Sequence, residues 1–494
     1  MPNPKYAPEE PICAIATALA PAALGIVRCS GKNCVELVSH VFSRPKALLE
    51  AAGNTLVYGW IVDRTAQNVP ARKTQGNAEA TDHTNDPASN ATNDADIKID
   101  EVMVSIYRAP KSFTGEEMVE ICCHGGPGVV LAIHALLLNT GFRQAERGEF
   151  TFRAFINGKA DLTKAEAVQE IISSRTGESR SRAAGRLAGN LFEEIDGIKR
   201  LITDTLGAIE VEIEYPEDEE TIADSFNKAD LEKAAARLCE LSASWQGEKL
   251  YQDGARVVLC GRTNAGKSSL FNAILKEERS IVSDIEGTTR DWIESWVNID
   301  GIPVRLFDTA GLRDTKDVIE AHGVELTHSL LEDADIILYL EDSRFGLNAD
   351  DLVFLKSCMQ PVIFVWNKSD MVEKEPSLSS QIKLEMPLLK KEVRISAKKG
   401  MGFKELFAAI GEVLTSGLPT ERAQAGLGSA RQKAAVEEAL ESVHHALRTA
   451  NEDYSLDAVV QDLEEALNSL GEITGEVTAD DVLGSIFSRF CVGK

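Results

Sequence analysis

Apolar positions change their period three times along the chain. In the first stretch they form short runs closed by Gly or Pro. "GIVRCSG", "EVMVSIYRAP" and "MVEICCHGG" predict strands, and Val102, Val104 and Ile106 alternate as a half-buried strand requires. From about 160 the step becomes three or four. Leu191, Ile195, Ile198, Ile202, Leu206 and Ile209 mark one helix face, and "LEKAAARLCELSASW" predicts a second helix. Around 255 strand runs return as "ARVVLCG", "PVRLFDTAG", "DIILYLE" and "PVIFVWNKSD", alternating with helical stretches. That alternation predicts a parallel sheet wrapped by helices. After about 420 the helical step resumes through Leu456, Val459, Val460, Leu463, Leu467 and Leu470, and Thr478 with Asp481 predicts a capped start for a last helix. Helices on both sides of an α/β block predict an inserted domain mounted on one helical unit. The expected boundaries are 1–157, 158–250, 251–418 and 419–494.

Two stretches break this pattern. Residues 64–97 hold no aromatic side chain and almost nothing apolar, so they predict a disordered insertion on a surface loop. "ICAIATALAPAALGIV" (Ile12–Val27) has the apolar content of a secretion signal. Glu9 and Glu10 stand where positive charge belongs and Pro21 interrupts the run, so two short buried strands fit better. No apolar run reaches the roughly 18 residues of a membrane span. A net charge of −26 disfavours an indiscriminate grip on nucleic acid. The nine Cys, odd in number and never spaced CxxC, fit a reducing cytoplasm better than a disulfide framework.

The middle block carries the chemistry. "GRTNAGKSS" (Gly261–Ser269) follows a strand run and opens a helical one, the setting of a phosphate-binding GxxxxGK(S/T) loop. Its Asn264, Ala265 and Gly266 would bring backbone N–H groups around phosphate oxygens. Lys267 would reach the β- and γ-phosphates, and Ser268 would ligate Mg²⁺, with Ser269 beside it. Asp308, Thr309, Ala310 and Gly311 (DTAG) suit the magnesium shell and γ-phosphate. Asn367, Lys368 and Asp370 follow another strand run, and Ser396, Ala397 and Lys398 a further one. Asp370 can accept from guanine N1–H and its 2-amino group, a donor pair that adenine lacks, so GTP is expected. The Ala397 N–H is placed to meet guanine O6. Ser283, Asp284, Ile285, Glu286, Gly287, Thr288 and Thr289 form a candidate switch loop, with Thr289 a second Mg²⁺ ligand. Leu312 stands just after DTAG and can neither donate nor accept a hydrogen bond, so water activation must come from elsewhere. The Asn264 side chain could either brace its own turn or, with Ser283, Ile285 and Thr288, cage a monovalent cation.

Nearly the whole chain resembles the tRNA-modification GTPase MnmE (TrmE) family. The resemblance rests on "GIVRCSG", "KSFTGEEMVEICCHGGP", "RGEFTFRAFINGKADLTKAEAV", "GRTNAGKSSLFNAIL", "IVSDIEGTTRD", "DTAGLRD" and a final "CVGK". It implies a multidomain α/β and α protein. The N-terminal domain would be a dimerising, folate-binding α+β fold. A discontinuous helical domain would carry an inserted Ras-like P-loop G domain with a doubly wound sheet. Arg28, Glu116, Lys159 and Lys494 would bind 5,10-methylene- or 5-formyl-tetrahydrofolate. The homodimer would join an FAD-dependent MnmG-type partner in a heterotetramer. Together they would place a carboxymethylaminomethyl or aminomethyl group on C5 of the wobble uridine (position 34) of certain tRNAs. G-domain dimerisation would be K⁺-dependent, favouring the cation cage. Glu320, twelve residues after the DTAG Asp, would be catalytic, with Asp317 as a fallback. Cys491 would take part in the modification, although the end of a helix is a poor place for a thiolate.

Arg175, Arg180, Arg182 and Arg186 in "SSRTGESRSRAAGRL" form either a solvated helix face or a phosphate-binding patch for tRNA. A ribosome-assembly GTPase is the competing reading of the G-domain motifs. A folate-dependent aminomethyltransferase regulated by its G domain is a third.

Overall fold

A computed structural model describes residues 10–64, 97–214, 228–277, 293–309, 330–374, 376–418, 425–451 and 456–494. Most of the expected 64–97 insertion lies outside these residues. The chain divides into two compact units. One joins residues 1–165 to 475–494, and the other holds 166–474. The last twenty residues therefore fold with the N-terminal unit, where periodicity had grouped them with the helices from 419 onward.

The first unit is built on a sheet of β1 (Ile12–Ile15), β2 (Leu24–Ser30), β3 (Thr55–Asp63), β4 (Ile97–Tyr107), β5 (Met118–His124) and β6 (Arg143–Gln144), in the order β3-β4-β5-β2-β1-β6. The apolar run at Ile12–Val27 resolves into β1 and the start of β2, paired antiparallel. One sheet face buries Val27, Val104, Val119 and Ile121 against Val35, Ile133 and Leu137 from two helices. Because side chains alternate along each strand, the other face carries Leu56, Tyr58, Met103 and Leu24, all exposed, together with Arg28 and Glu120. The returning tail adds helix Asp480–Ser488, whose Phe487 meets Phe152 of helix Glu149–Ile156 edge-on at 5.5 Å. Gly148 admits this contact, since a Cβ there would lie 2.6 Å from the Phe487 carbonyl oxygen. The last helix is preceded by Ala479 with no side-chain cap, so Thr478 does not play the expected capping role.

In the second unit, helices Asn190–Glu214 and Lys228–Asp253 share one core with Ala430–Asn451 and Leu456–Thr474. Ile195, Ile202 and Leu238 meet Val436, Leu463 and Leu470 there, so both helical halves form one body. Helix Lys228–Asp253 runs through Gly254 straight into a second sheet. That sheet comprises β7 (Ala255–Gly261), β8 (Ile293–Ile299), β9 (Ile302–Asp308), β10 (Ile336–Asp342), β11 (Val362–Asn367) and β12 (Leu389–Arg394), in the order β12-β11-β10-β7-β9-β8. All neighbours are parallel except β8 and β9. Apolar layers cover both faces, which explains strands that are continuously apolar instead of alternating. The strand order reverses at β7, and a ligand crevice is expected beyond the carboxyl ends there. Among the described residues no helix is long and apolar enough to cross a membrane.

Candidate functional site

The loop leaving β7 lies at that crevice. Gly261 has φ +129° and a Cβ would come 2.1 Å from the Leu340 carbonyl oxygen, so only glycine allows the turn. Asn264 also adopts a left-handed conformation (φ 66°), and a helix begins at Lys267. The Lys267 ammonium donates to the Gly261 and Arg262 carbonyls, each at 2.9 Å, and so lies over the loop. Ser268 and Ser269 are exposed in the first helical turn. Asp308 is buried at the end of β9, level with Leu259 of β7, and Thr309 Oγ1 donates to the Leu259 carbonyl at 2.8 Å. The glycine turns, the helix start and the adjoining carboxylate fit a triphosphate with Mg²⁺.

Asn367 joins three of the expected motifs. Its Nδ2 donates to the Ala265 carbonyl at 2.8 Å, and its Oδ1 accepts from Lys368 N at 2.8 Å and Ala397 N at 3.1 Å. The Ala397 N–H is thus directed at Asn367, not held free for a base. Lys368 (φ 60°) turns its ammonium onto the Asn264 carbonyl at 2.7 Å. Asp370 Oδ1 accepts from Ser396 Oγ at 2.7 Å and Oδ2 pairs with Lys399 at 3.4 Å, and these partners hold its carboxyl below the usual range. Lys398 is exposed. Ser283, Asp284, Ile285, Glu286, Gly287, Thr288, Thr289, Ala310, Gly311, Asp317 and Glu320 lie outside the described residues.

A second group of side chains forms within the N-terminal unit. Arg28 on β2 pairs with Glu120 on β5 at 2.7 Å and lies against the rings of Phe113 and Phe150. Its Nη1 donates to the Gly493 carbonyl at 3.2 Å, which brings the terminal CVGK to the sheet. Gly493 has φ +94°, and a Cβ would come 2.9 Å from the Ile15 carbonyl oxygen. Two residues along β2, Ser30 Oγ donates to Glu116 Oε2 at 2.8 Å. The other partner of Glu116 is the fully buried Arg153, at 3.1 Å, which also pairs with buried Glu149 at 2.9 Å. Lys159 Nζ donates to the Pro110 carbonyl at 3.1 Å, and its stem packs on Gly115. Arg28 and the tail therefore meet directly, whereas Glu116 and Lys159 approach through the 114–116 turn. Cys491 is exposed and lies beyond the last helix, which ends at Ser488, so it does not occupy the expected helix terminus. Sequence reasoning missed Ser30, Phe113, Glu120 and Arg153. The one available signal was a charged residue set among aromatics in "EFTFRAF".

The arginine-rich stretch divides. Arg186 is buried between Glu170 at 2.5 Å and Glu248 at 2.7 Å, and Arg182 pairs with Glu248 at 2.6 Å while stacking on Tyr251. Arg175 stacks on Trp296 at 4.0 Å. Arg182 and Arg186 serve internal ion pairs and so belong neither to a solvated face nor to a phosphate-binding patch, whereas Arg175 is exposed beside its ring contact. Arg180 is exposed.

These arrangements can be set beside known proteins. A family model for the MnmE helical domain matches residues 162–491, and one for the GTP-binding protein TrmE N-terminus matches 11–159. The chain is 49% identical to the "tRNA modification GTPase MnmE" of Treponema denticola, with 99% of each chain covered. It is 39% identical to the protein of the same name from Borrelia turicatae, with 98% of each covered. Among solved structures, Aquifex aeolicus Era bound to GDP and aluminium fluoride matches 38% of this chain and 66% of its own, at 30% identity and a TM-score of 0.27. Both ends of the chain and the segment between them thus carry one signature: the chain belongs to the MnmE (TrmE) family of tRNA-modification GTPases.

Proposed function

We propose that the protein hydrolyses GTP in the second unit and, with an FAD-dependent MnmG-type partner, modifies C5 of wobble uridine 34 in certain tRNAs. The observation that carries this reading is the Asn367 bridge, which links the phosphate loop at Ala265 to the SAK stretch at Ala397, two stretches expected at one guanine-nucleotide site. Ser268, Asp308 and Thr289 would serve Mg²⁺. Asn264, Ser283, Ile285 and Thr288 would hold K⁺, and Glu320 would order the attacking water. The bound nucleotide and its metal supply the phosphoryl chemistry. This chain positions them, excludes adenine through Asp370, and faces the β- and γ-phosphates with Lys267.

In the N-terminal unit, Arg28, Glu116, Lys159 and Lys494 would bind a one-carbon tetrahydrofolate. A guanidinium flanked by two aromatic rings and a carboxylate suits a heteroaromatic ring with amide donors and acceptors. A homodimer would bury the apolar face formed by Leu24, Leu56, Tyr58 and Met103. Cys491, on the tail that Arg28 holds, would join the modification chemistry. Two measurements test the reading. The purified protein should hydrolyse GTP and not ATP, faster in K⁺ than in Na⁺. Mass analysis of tRNA from cells lacking the gene should show position 34 unmodified. Normal anticodon nucleosides in those cells would reject the tRNA reading, and equal rates in K⁺ and Na⁺ would remove the cation cage.

A further inference from the structure

Strand β10 ends at Asp342 and a turn follows with Ser343 and Arg344, none of them part of the nucleotide-binding motifs. Asp342 is buried, with its side chain 6% exposed, and its carboxylate accepts from Lys368 Nζ at 2.8 Å. The same ammonium donates to the Asn264 carbonyl at the apex of the phosphate loop, at 2.7 Å. Arg344 spans both carboxylate oxygens, donating from Nη2 to Oδ2, which it shares with Lys368, at 2.7 Å and from Nε to Oδ1 at 3.0 Å. Arg344 and then Lys368 keep the carboxyl charged well below the ordinary range. Next to it, Ser343 donates both its N–H (2.9 Å) and its buried Oγ–H (2.7 Å) to the Asn367 carbonyl. The turn after β10 therefore grips two successive residues of the base-reading loop: Asn367 by its backbone and Lys368 by its charge.

Lysine has a long, freely rotating stem, and holding its ammonium on one carbonyl costs side-chain entropy. A buried carboxylate fixed by a bidentate arginine reduces that cost, because the ammonium has one charged partner and one direction to face. We propose that Asp342 is a positioning residue for the nucleotide site. It acts through Lys368 to hold the phosphate loop at Asn264 against the base-reading loop. The inference rests on the GTP reading above. It assigns Asp342 no part in base choice, which Asp370 performs with its own partners, Ser396 and Lys399.

The test is a double-mutant cycle on the full-length protein, read by equilibrium binding of fluorescent GDP and by competition with GTP and ITP. Asp342→Asn should weaken GDP and GTP alike by about ten- to a hundredfold, the range for a charge-assisted hydrogen bond, and leave the GTP/ITP ratio unchanged. Lys368→Met should weaken binding similarly, and adding Asp342→Asn to it should cost nothing further. Melting curves of each variant show that the domain is folded. If Asp342→Asn is silent, if its effect adds fully to that of Lys368→Met, or if it shifts the GTP/ITP ratio, the positioning role is wrong. If the wild-type protein binds no guanine nucleotide, the GTP reading fails and this inference falls with it.

Discussion

The two candidate sites are built on opposite principles. The nucleotide site is largely backbone: carbonyls, N–H groups and glycine turns from short consecutive stretches, cross-braced by Asn367 and Lys368. The site around Arg28 and Arg153 is almost entirely side chain, with buried ions drawn from distant parts of the chain. The first excludes added atoms, because a Cβ finds no room. The second depends on keeping atoms, because removing one charge strands another. The backbone-built site should therefore fail on gaining a methyl group, and the side-chain site on losing a charge.

The largest expected effect is Arg153→Met. It leaves Glu116 without its buried counter-charge and Glu149 with Arg143 alone, at 2.6 Å, and should destabilise the N-terminal unit by about 3 kcal/mol, seen as an earlier urea transition for that unit. A transition unmoved by the substitution would show that the lattice is dispensable. Next comes Gly266→Ala. With φ +98° and a Cβ 2.2 Å from Asn367 Nδ2, the substitution should weaken nucleotide binding by about a hundredfold while leaving the N-terminal transition in place. Near-normal GDP affinity would mean that the loop is looser than its geometry. Gly493→Ala carries both strain and a close approach to Ile15, worth about 1–3 kcal/mol. It should release the tail and speed carboxypeptidase trimming. The smallest effect lies at exposed His124, whose pKa is raised first by its hydrogen bond to Asp100. Its folded pKa exceeds the unfolded value, so its stabilisation is complete below about pH 6.5 and is lost as pH rises through the folded value. Asp100→Asn should return the NMR titration of His124 to the ordinary midpoint.

The same contrast explains what could be read before any coordinates. The glycine loop and the NKSD and SAK stretches announce themselves because each role is packed into a few adjacent residues after an apolar strand. Strands β7, β9, β10 and β11 and both helical stripes follow from period alone. The Arg28–Gly493 contact spans 465 residues, and only the resemblance of both stretches to one family brought them together. Arg186 fitted a solvated face or a phosphate patch equally, because its partner Glu248 stands 62 residues away, where no periodicity can point to it. Thr478 failed as a cap because the chain starts its last helix one residue later. Asp342 carries no sequence signal of its own, since its partner Lys368 is 26 residues on.

The composition of the N-terminal unit from residues 1–165 and 475–494 also sets a schedule for biosynthesis. At ribosomal speeds of about 5–20 residues per second, roughly 25–90 seconds separate the synthesis of Arg28 from that of Gly493. Through that interval Phe152 has no Phe487 to cover it and β2 lacks the carbonyl that Arg28 will hold. A nascent chain stalled before 475 should expose that aromatic surface and recruit chaperones that leave once translation is complete.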